Sequence, residues 1–284
     1  MKTTLKQLMS YLAVLFVSAL LRIRLARYFL DLVNTTSQNN KLLIKHEDID
    51  LNFYVPNTLS RYRASTFSTK EPETLKWIDE FEEGANLWDI GANIGLYSCY
   101  AASKKGSHVV AFEPSVFNLE LLCKNIYINK LDNLVRIFPL ALSDGEGFGK
   151  FYLSNIIQGG ALSTFGEPLG HDGNELKPIF QYSIYGISLD FAVYSLGLDP
   201  PDYLKIDVDG IEHLILKGAT RLLKEVKSIL VEINDQFIEQ SELTRSILVS
   251  NNFEMIAKLH SETVENSKDF NAVFNQIWIN KNYK

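Results

Sequence analysis

From Asn86 to the C-terminal end, short apolar runs alternate with stretches of helical periodicity, and few folds accommodate that rhythm. The apolar runs are NLWDIG (86–91), HVVAFEP (108–114), LVRIFPLAL (134–142), DYLKIDVDG (202–210), SILVEIN (228–234), FEMIAKL (253–259) and AVFNQIWIN (272–280). Helical spacing lies between them, over Ile94–Ser103, Ser115–Asn129, Ile211–Lys224 and Phe237–Asn251. Strands and helices taking turns at these lengths predict an α/β fold: a seven-stranded, mostly parallel sheet with helices on both faces. The Gly-rich segment 145–185, with alternating stretches such as GKFYLS, reads as a β-hairpin or loop insertion into that pattern. Upstream, residues 31–50 read as a polar linker. A small strand pair over 42–58 is expected to turn at Pro56-Asn57, and a helix over Thr74–Phe81 follows Pro72.

Composition narrows the function classes. With 284 residues, 46% of them hydrophobic, the chain buries its own core without staples. Cys99 and Cys123, both in helical stretches, are too few for a disulfide framework or a zinc cluster, and the five histidines never fall at i, i+4. Net charge is −6, yet residues 1–30 hold Lys2, Lys6, Arg22, Arg24 and Arg27 with no acid, which leaves −11 on the rest. A body so acidic repels phosphodiester backbones and argues against a nucleic-acid substrate.

The basic head surrounds a largely apolar run, Leu8 to Leu21, too short for a membrane span and followed by arginines where a cleavage site would need small residues. Two readings remain open: a helix lying in a bilayer interface, or a helix packed on its own domain. The expected organisation is an N-terminal helix over 1–33, an extension over 34–84 and the main α/β domain over 85–284.

The turn after the first strand reads Asp89-Ile90-Gly91-Ala92-Asn93-Ile94-Gly95. Ligands of open α/β sheets bind beyond the carboxyl ends of the strands, against such a turn, and Gly91 and Gly95 would let backbone approach one closely. Asn93 stands where a dinucleotide fingerprint needs its second glycine, and Asp89 suits an ammonium better than a pyrophosphate. Glu113 ends the second strand, where an acid accepts hydrogen bonds from ribose hydroxyls. Ser143 and Asp144, after the third, could meet an adenine edge or form only a polar turn. Together these residues outline a site for an adenosine carrying a cationic amino acid, the shape of S-adenosylmethionine.

Lys205, Asp207, Asp209 and Glu212 crowd the end of the fourth strand. Three carboxylates beside one lysine need mutual hydrogen bonds, a metal or a bound cation, and a structural network at a helix start is the alternative. His213 reads as a helix-surface residue.

LWDIGANIGLYS (87–98), AFEPS (111–115), ISLDFAVYSLGLDPPDYLKIDVDGIEHLILKGA (187–219) and LVEIN (230–234), with KEPETLKWID (70–79), resemble the FkbM family of S-adenosylmethionine-dependent methyltransferases over about Phe67 to Asn234. The resemblance implies the seven-stranded class I methyltransferase fold, which is Rossmann-like, and O-methylation of sugars, polyketides or related metabolites. It implies that Asp89, Gly91, Asn93 and Gly95 hold the methionine end, that Glu113 holds the ribose, and that Lys205, Asp207, Asp209 and Glu212 lie beside the transferable methyl. The family commonly has V-E-G-x-E where this chain has Val208-Asp209-Gly210-Ile211-Glu212, a carboxylate one methylene shorter at 209.

The expected reaction is methyl transfer to a hydroxyl oxygen, with Asp207 or Asp209 as base or orienting group, Glu212 next in line, and no metal assigned. The acceptor, a small molecule or glycan, is expected to meet Gln158, Gly159, Gly160, Ser163 and Thr164. The expected location is cytoplasmic, with residues 1–30 peripheral to a membrane on the interfacial reading. A nicotinamide-dependent oxidoreductase and a non-catalytic adenosine-binding module are the competing classes, the first weakened by the missing G-x-G-x-x-G.

Overall fold

The computed structural model describes residues 2–260 and 270–283. It opens with two helices, α1 (Lys2–Leu20) and α2 (Arg24–Gln38). The second overruns the expected linker because Leu32 and Val33 continue the helical spacing of Leu25, Tyr28 and Phe29. A hairpin follows, β1 (Lys41–His46) and β2 (Ile49–Tyr54), and it turns at Glu47, φ +50°, rather than at Pro56-Asn57. Asn57 instead caps α3 (Thr58–Ser65), its side chain accepting from the Ser60 amide at 2.8 Å. Two short helices, α4 (Phe67–Lys70) and α5 (Pro72–Asp79), lead into the main domain.

There the order is β3 (Asn86–Ile90), α6 (Leu96–Lys105), β4 (His108–Phe112), α7 (Val116–Ile128), β5 (Val135–Phe138), β6 (Ala141–Leu142), β7 (Gly147–Leu153), β8 (Ser163–Phe165), β9 (Phe180–Ile187) and α8 (Leu189–Tyr194). It continues with β10 (Tyr203–Ile206), α9 (Glu212–Lys217), β11 (Ser228–Asn234), α10 (Ile238–Ser250), β12 (Phe253–Leu259) and β13 (Val273–Asn280). The expected seven strands form one sheet in the order β12-β13-β11-β10-β3-β4-β5. All neighbours from β11 to β5 run parallel, and β13 is antiparallel to both β11 and β12. Each central strand is buried on both faces: Trp88 and Ile90 join one core, Leu87 the other.

The run 134–142 is two strands rather than one. Pro139 interrupts it, and Ala141–Leu142 pairs with β9 in a second, four-stranded sheet of order β6-β9-β7-β8. The insertion is therefore a sheet of its own, standing over the carboxyl ends of the main strands.

Candidate active site

Strand order reverses between β3 and β10: the chain passes outward from β3 through β4 and β5, then returns to the other side with β10 and β11. A crevice opens at such a point because the two following turns diverge. Three cavities meet there, and Gly91, Asn93 and Asp207 line all of them.

The first, about 570 Å³, has an apolar floor that includes Phe112, Leu140, Phe151, Phe165 and Ile211, with Glu113 at its polar end. Glu113 accepts from the backbone amides of Asn93 and Ser115, both at 2.7 Å, so two of its lone pairs remain for a ligand. Burial outweighs those two bonds and pushes its carboxyl up to about 7. Ser143 and Asp144 do not line this cavity. The Ser143 amide continues the β6–β9 pairing by donating to the Ile187 carbonyl, and Asp144 turns outward to Lys217 at 2.9 Å.

The second cavity, about 460 Å³, is walled by charge: Arg63, Lys70, Glu71, Lys205 and Asp207, beside Tyr97 and the 91–96 turn. Lys205 is fully buried, 2.8 Å from Asp207 and with its ammonium 5.1 Å from the Tyr97 ring centre. Burial works against its charge, but Asp207, Asp89 and Glu71 outweigh that and hold the ammonium protonated. Burial also opposes ionisation of Asp207, yet Lys205 and Lys70 prevail and keep it below the usual carboxylate range. Lys70 pairs with buried Glu71 at 2.5 Å.

Asp89 lies behind this wall rather than on it. It is the sheet neighbour of Lys205, takes a hydrogen bond from the Ser98 hydroxyl at 2.5 Å, and leaves Oδ1 without a partner. Burial raises its carboxyl above the ordinary value.

The third and largest cavity, about 1250 Å³, runs outward between α3 and the ends of β10, β11 and β13. Leu59, Tyr62, Arg63, Lys70, Asp207, Asp209 and Glu232 are among its walls. The Glu232 side chain makes no hydrogen bond or ion pair among the described residues, and burial, then Asp207 and Glu71, raise its carboxyl well above the usual range. Glu71, Asp207 and Glu232 bring carboxylate oxygens within 4.8 Å of one another, close enough for one cation, although two of the three already face a lysine.

A strap from the insertion roofs the junction. The Asn93 side chain donates to the Gly160 carbonyl at 2.8 Å, Asn118 donates to the same oxygen at 3.1 Å, and the Arg63 Nε donates to the Gly159 carbonyl at 2.6 Å. Asp209, itself at φ +65°, accepts from the Leu162 amide at 2.6 Å. Of the residues expected at the acceptor, Gly160 and Ser163 line the first cavity, Gln158 turns to Glu120 and Thr164 is buried.

Three further expectations change. Glu212 is buried and turned inward, accepting from the Val208 and Gly210 amides and from Gln240, so it braces the strand-end turn and lines none of these three cavities. His213 is buried with its ring edge-on to Phe237, not on the surface. Gly91 and Gly95 admit protein rather than ligand, since a β-carbon there would meet the Asp207 carbonyl and the Leu122 side chain respectively. Arg63, Lys70, Glu71, Tyr97 and Glu232 escaped sequence reasoning, although KEPETLKWID and LVEIN mark three of them.

The sequence profile of the Methyltransferase FkbM domain matches residues 89–265. The hexuronic acid methyltransferase AglP of Haloferax volcanii is 32% identical over 159 residues, 55% of this chain and 59% of its own length. A U6 small nuclear RNA (adenine-(43)-N(6))-methyltransferase of Drosophila melanogaster is 28% identical over 131 residues, 44% of this chain and 40% of its own. The chain thus spans less than two thirds of either relative. A methyltransferase FkbM from Methylobacillus flagellatus, of known crystal structure, superposes with a TM-score of 0.48 at 17% identity, over 70% of this chain and 44% of that one.

Proposed function

Because the chain belongs to the FkbM methyltransferase family, we propose that it methylates a hydroxyl oxygen of a sugar, glycolipid, polysaccharide or related metabolite. The methyl donor is S-adenosylmethionine, which brings an electrophilic methyl on a positively charged sulfur. The observation that carries this reading is the meeting of three unlike cavities at Gly91, Asn93 and Asp207. An apolar cavity ending in a carboxylate suits an adenosine, with Glu113 accepting from the ribose hydroxyls and the Phe112 and Phe165 side flanking the base. A cavity lined by both signs of charge suits an amino acid, with Glu71 and Asp207 toward its ammonium and Arg63 and Lys70 toward its carboxylate. Asp89, one layer behind, would act on that wall through Lys205.

The third cavity is then the acceptor's, and a wall that sets the charged groups of Arg63, Asp209 and Glu232 among apolar Leu59, Leu162 and the Tyr62 ring suits a carbohydrate, which presents both hydroxyls and C–H faces. Holding an acceptor oxygen at the junction would supply much of the acceleration, since alignment contributes about 7–11 kcal/mol in well-oriented reactions. A carboxylate that takes the hydroxyl proton adds roughly 10²–10⁴-fold. Asp207 and Asp209 are already engaged, with Lys205 and with the Leu162 amide, whereas the Glu232 carboxyl has no hydrogen-bond partner among the described residues and holds its proton more tightly. Glu232 is accordingly our first choice for that base, Asp209 our second, and Asp207 an orienting group.

The test is incubation with methyl-labelled S-adenosylmethionine and carbohydrate-containing cell fractions, followed by mass spectrometry of whatever gains one CH₂. Label in a glycan or glycolipid supports the reading; label only in RNA would replace it with that of an RNA enzyme. No calorimetric heat with S-adenosylmethionine or its demethylated product would remove the donor assignment itself.

A further inference from the structure

The helices α1 and α2 bury almost nothing. Leu8, Leu12, Leu15 and Phe16 on α1 are exposed, and no residue of α2 is buried. On α2 the apolar side chains Leu25, Tyr28, Phe29, Leu32 and Val33 recur at i, i+3, i+4, i+7 and i+8, so they form one face, and Phe29 is 62% exposed. Arg27, Asp31 and Asn34 fall on the opposite side of the wheel. Ile23, Leu25 and Phe29 also line an apolar groove of about 900 Å³ with the end of α1. An apolar surface of this extent on two successive helices marks an interaction site, not ordinary surface scatter.

Charge says what covers it. Lys6, Arg22, Arg24 and Arg27 are all exposed on this arm, three of them gathered where the two helices meet, in a chain whose remainder is strongly acidic. Apolar faces bordered by arginine suit a surface that is greasy inside and negative at its rim. No described helix is long and apolar enough to cross a membrane, so the contact is parallel to the surface rather than through it. We propose that α1 and α2 dock the protein on an anionic phospholipid bilayer, apolar faces below the headgroups and Arg22 and Arg24, at the junction of the helices, among the phosphates.

The arm is rooted beside the largest cavity. The Ser37 hydroxyl donates to the Pro56 carbonyl at 3.5 Å and the Val55 amide to the Asn40 carbonyl at 2.8 Å. Directly after Pro56, α3 carries Leu59, Tyr62 and Arg63 into the cavity wall. Docking therefore brings that opening close to the lipid surface, where a lipid-linked acceptor would be presented.

The test is co-sedimentation of the full chain with vesicles of phosphatidylcholine alone and of phosphatidylcholine with phosphatidylglycerol. Most of the protein should pellet with the anionic vesicles and roughly tenfold less with the neutral ones, with release at about 0.5 M salt. Leu25→Asp with Phe29→Asp, and separately Arg22→Glu with Arg24→Glu, should each abolish pelleting while leaving the thermal unfolding midpoint unchanged, because these residues pack on nothing in the domain. Wild-type protein left in the supernatant with anionic vesicles overturns the proposal. So does a dimer in sedimentation velocity that the Leu25→Asp, Phe29→Asp variant dissociates, since a second copy would then be the occupant.

Discussion

The carbonyl oxygen of Asp207 occupies the space a β-carbon on residue 91 would need: the two would lie 1.9 Å apart. Gly91, at φ +83°, thus lets the turn after β3 cross directly over the end of β10. That crossing is why one point borders all three cavities.

Replacing Gly91 with Ala sets a side chain against backbone in a left-handed conformation, and neither can yield cheaply. We expect a loss of about 2–4 kcal/mol of stability, seen in urea unfolding, together with loss of S-adenosylmethionine binding by calorimetry. A variant as stable as the wild type would show that the crossing relaxes freely.

Glu113 and Glu212 are both pushed up to about 7 by burial. A carboxyl raised in the folded state favours folding most below its unfolded value near 4.5, and that contribution is lost as pH rises toward 7. The ligand-free protein should therefore lose part of its stability between about pH 4.5 and 7. Affinity for S-adenosylmethionine should move the other way, strengthening up to about pH 7 as Glu113 ionises. Glu113→Gln should weaken binding at least tenfold, about 1.4 kcal/mol, and flatten that pH dependence.

Lys205 neutralises Asp207 directly and Asp89 beside it in the sheet. Lys205→Met keeps the apolar stem but strands buried Asp89 and half-buried Asp207, so a destabilisation of about 2–4 kcal/mol is expected in denaturant. Adding Asp89→Asn should recover part of it. No recovery would mean the two groups are not energetically linked.

Glu232→Gln should lower turnover roughly 10²-fold while S-adenosylmethionine affinity stays within about twofold, and the wild-type rate should rise with pH through an elevated carboxyl value. Asp209→Asn should act more weakly, through the strap held by the Leu162 amide. The reverse ranking would make Asp209 the base.

Lys70 and Lys205 already sit on two of the three clustered carboxylates, so a dication would have to displace them. Turnover should accordingly survive a chelator. Loss of activity restored by magnesium would instead assign that cluster to a metal.

Local pattern settled the succession of strands and helices along the main sheet, the turn carrying Gly91 and Asn93, and the place of Glu113 at the end of the second strand, because each depends on neighbours a few positions apart. Periodicity misjudged residues 31–38, where polar Asn34, Thr35 and Thr36 masked the continuing apolar spacing of Leu32 and Val33. Ser143, Asp144 and Glu212 were read as site residues from proximity to strand ends, yet their direction depends on partners far along the chain, namely Lys217, Ile187 and Gln240.

The sequence by itself determined a seven-stranded α/β sheet and the glycine turn after its first strand, since these follow from side-chain periodicity and backbone sterics. Only the tertiary structure decided which charges share a wall. Arg63, Lys70 and Glu71 come from the helical segment before the sheet and Glu232 from β11 within it, and they face Asp207 only because the sheet reverses between β3 and β10. Burial, ion pairing and proton affinity arise from that convergence in space, which spacing along a chain does not encode.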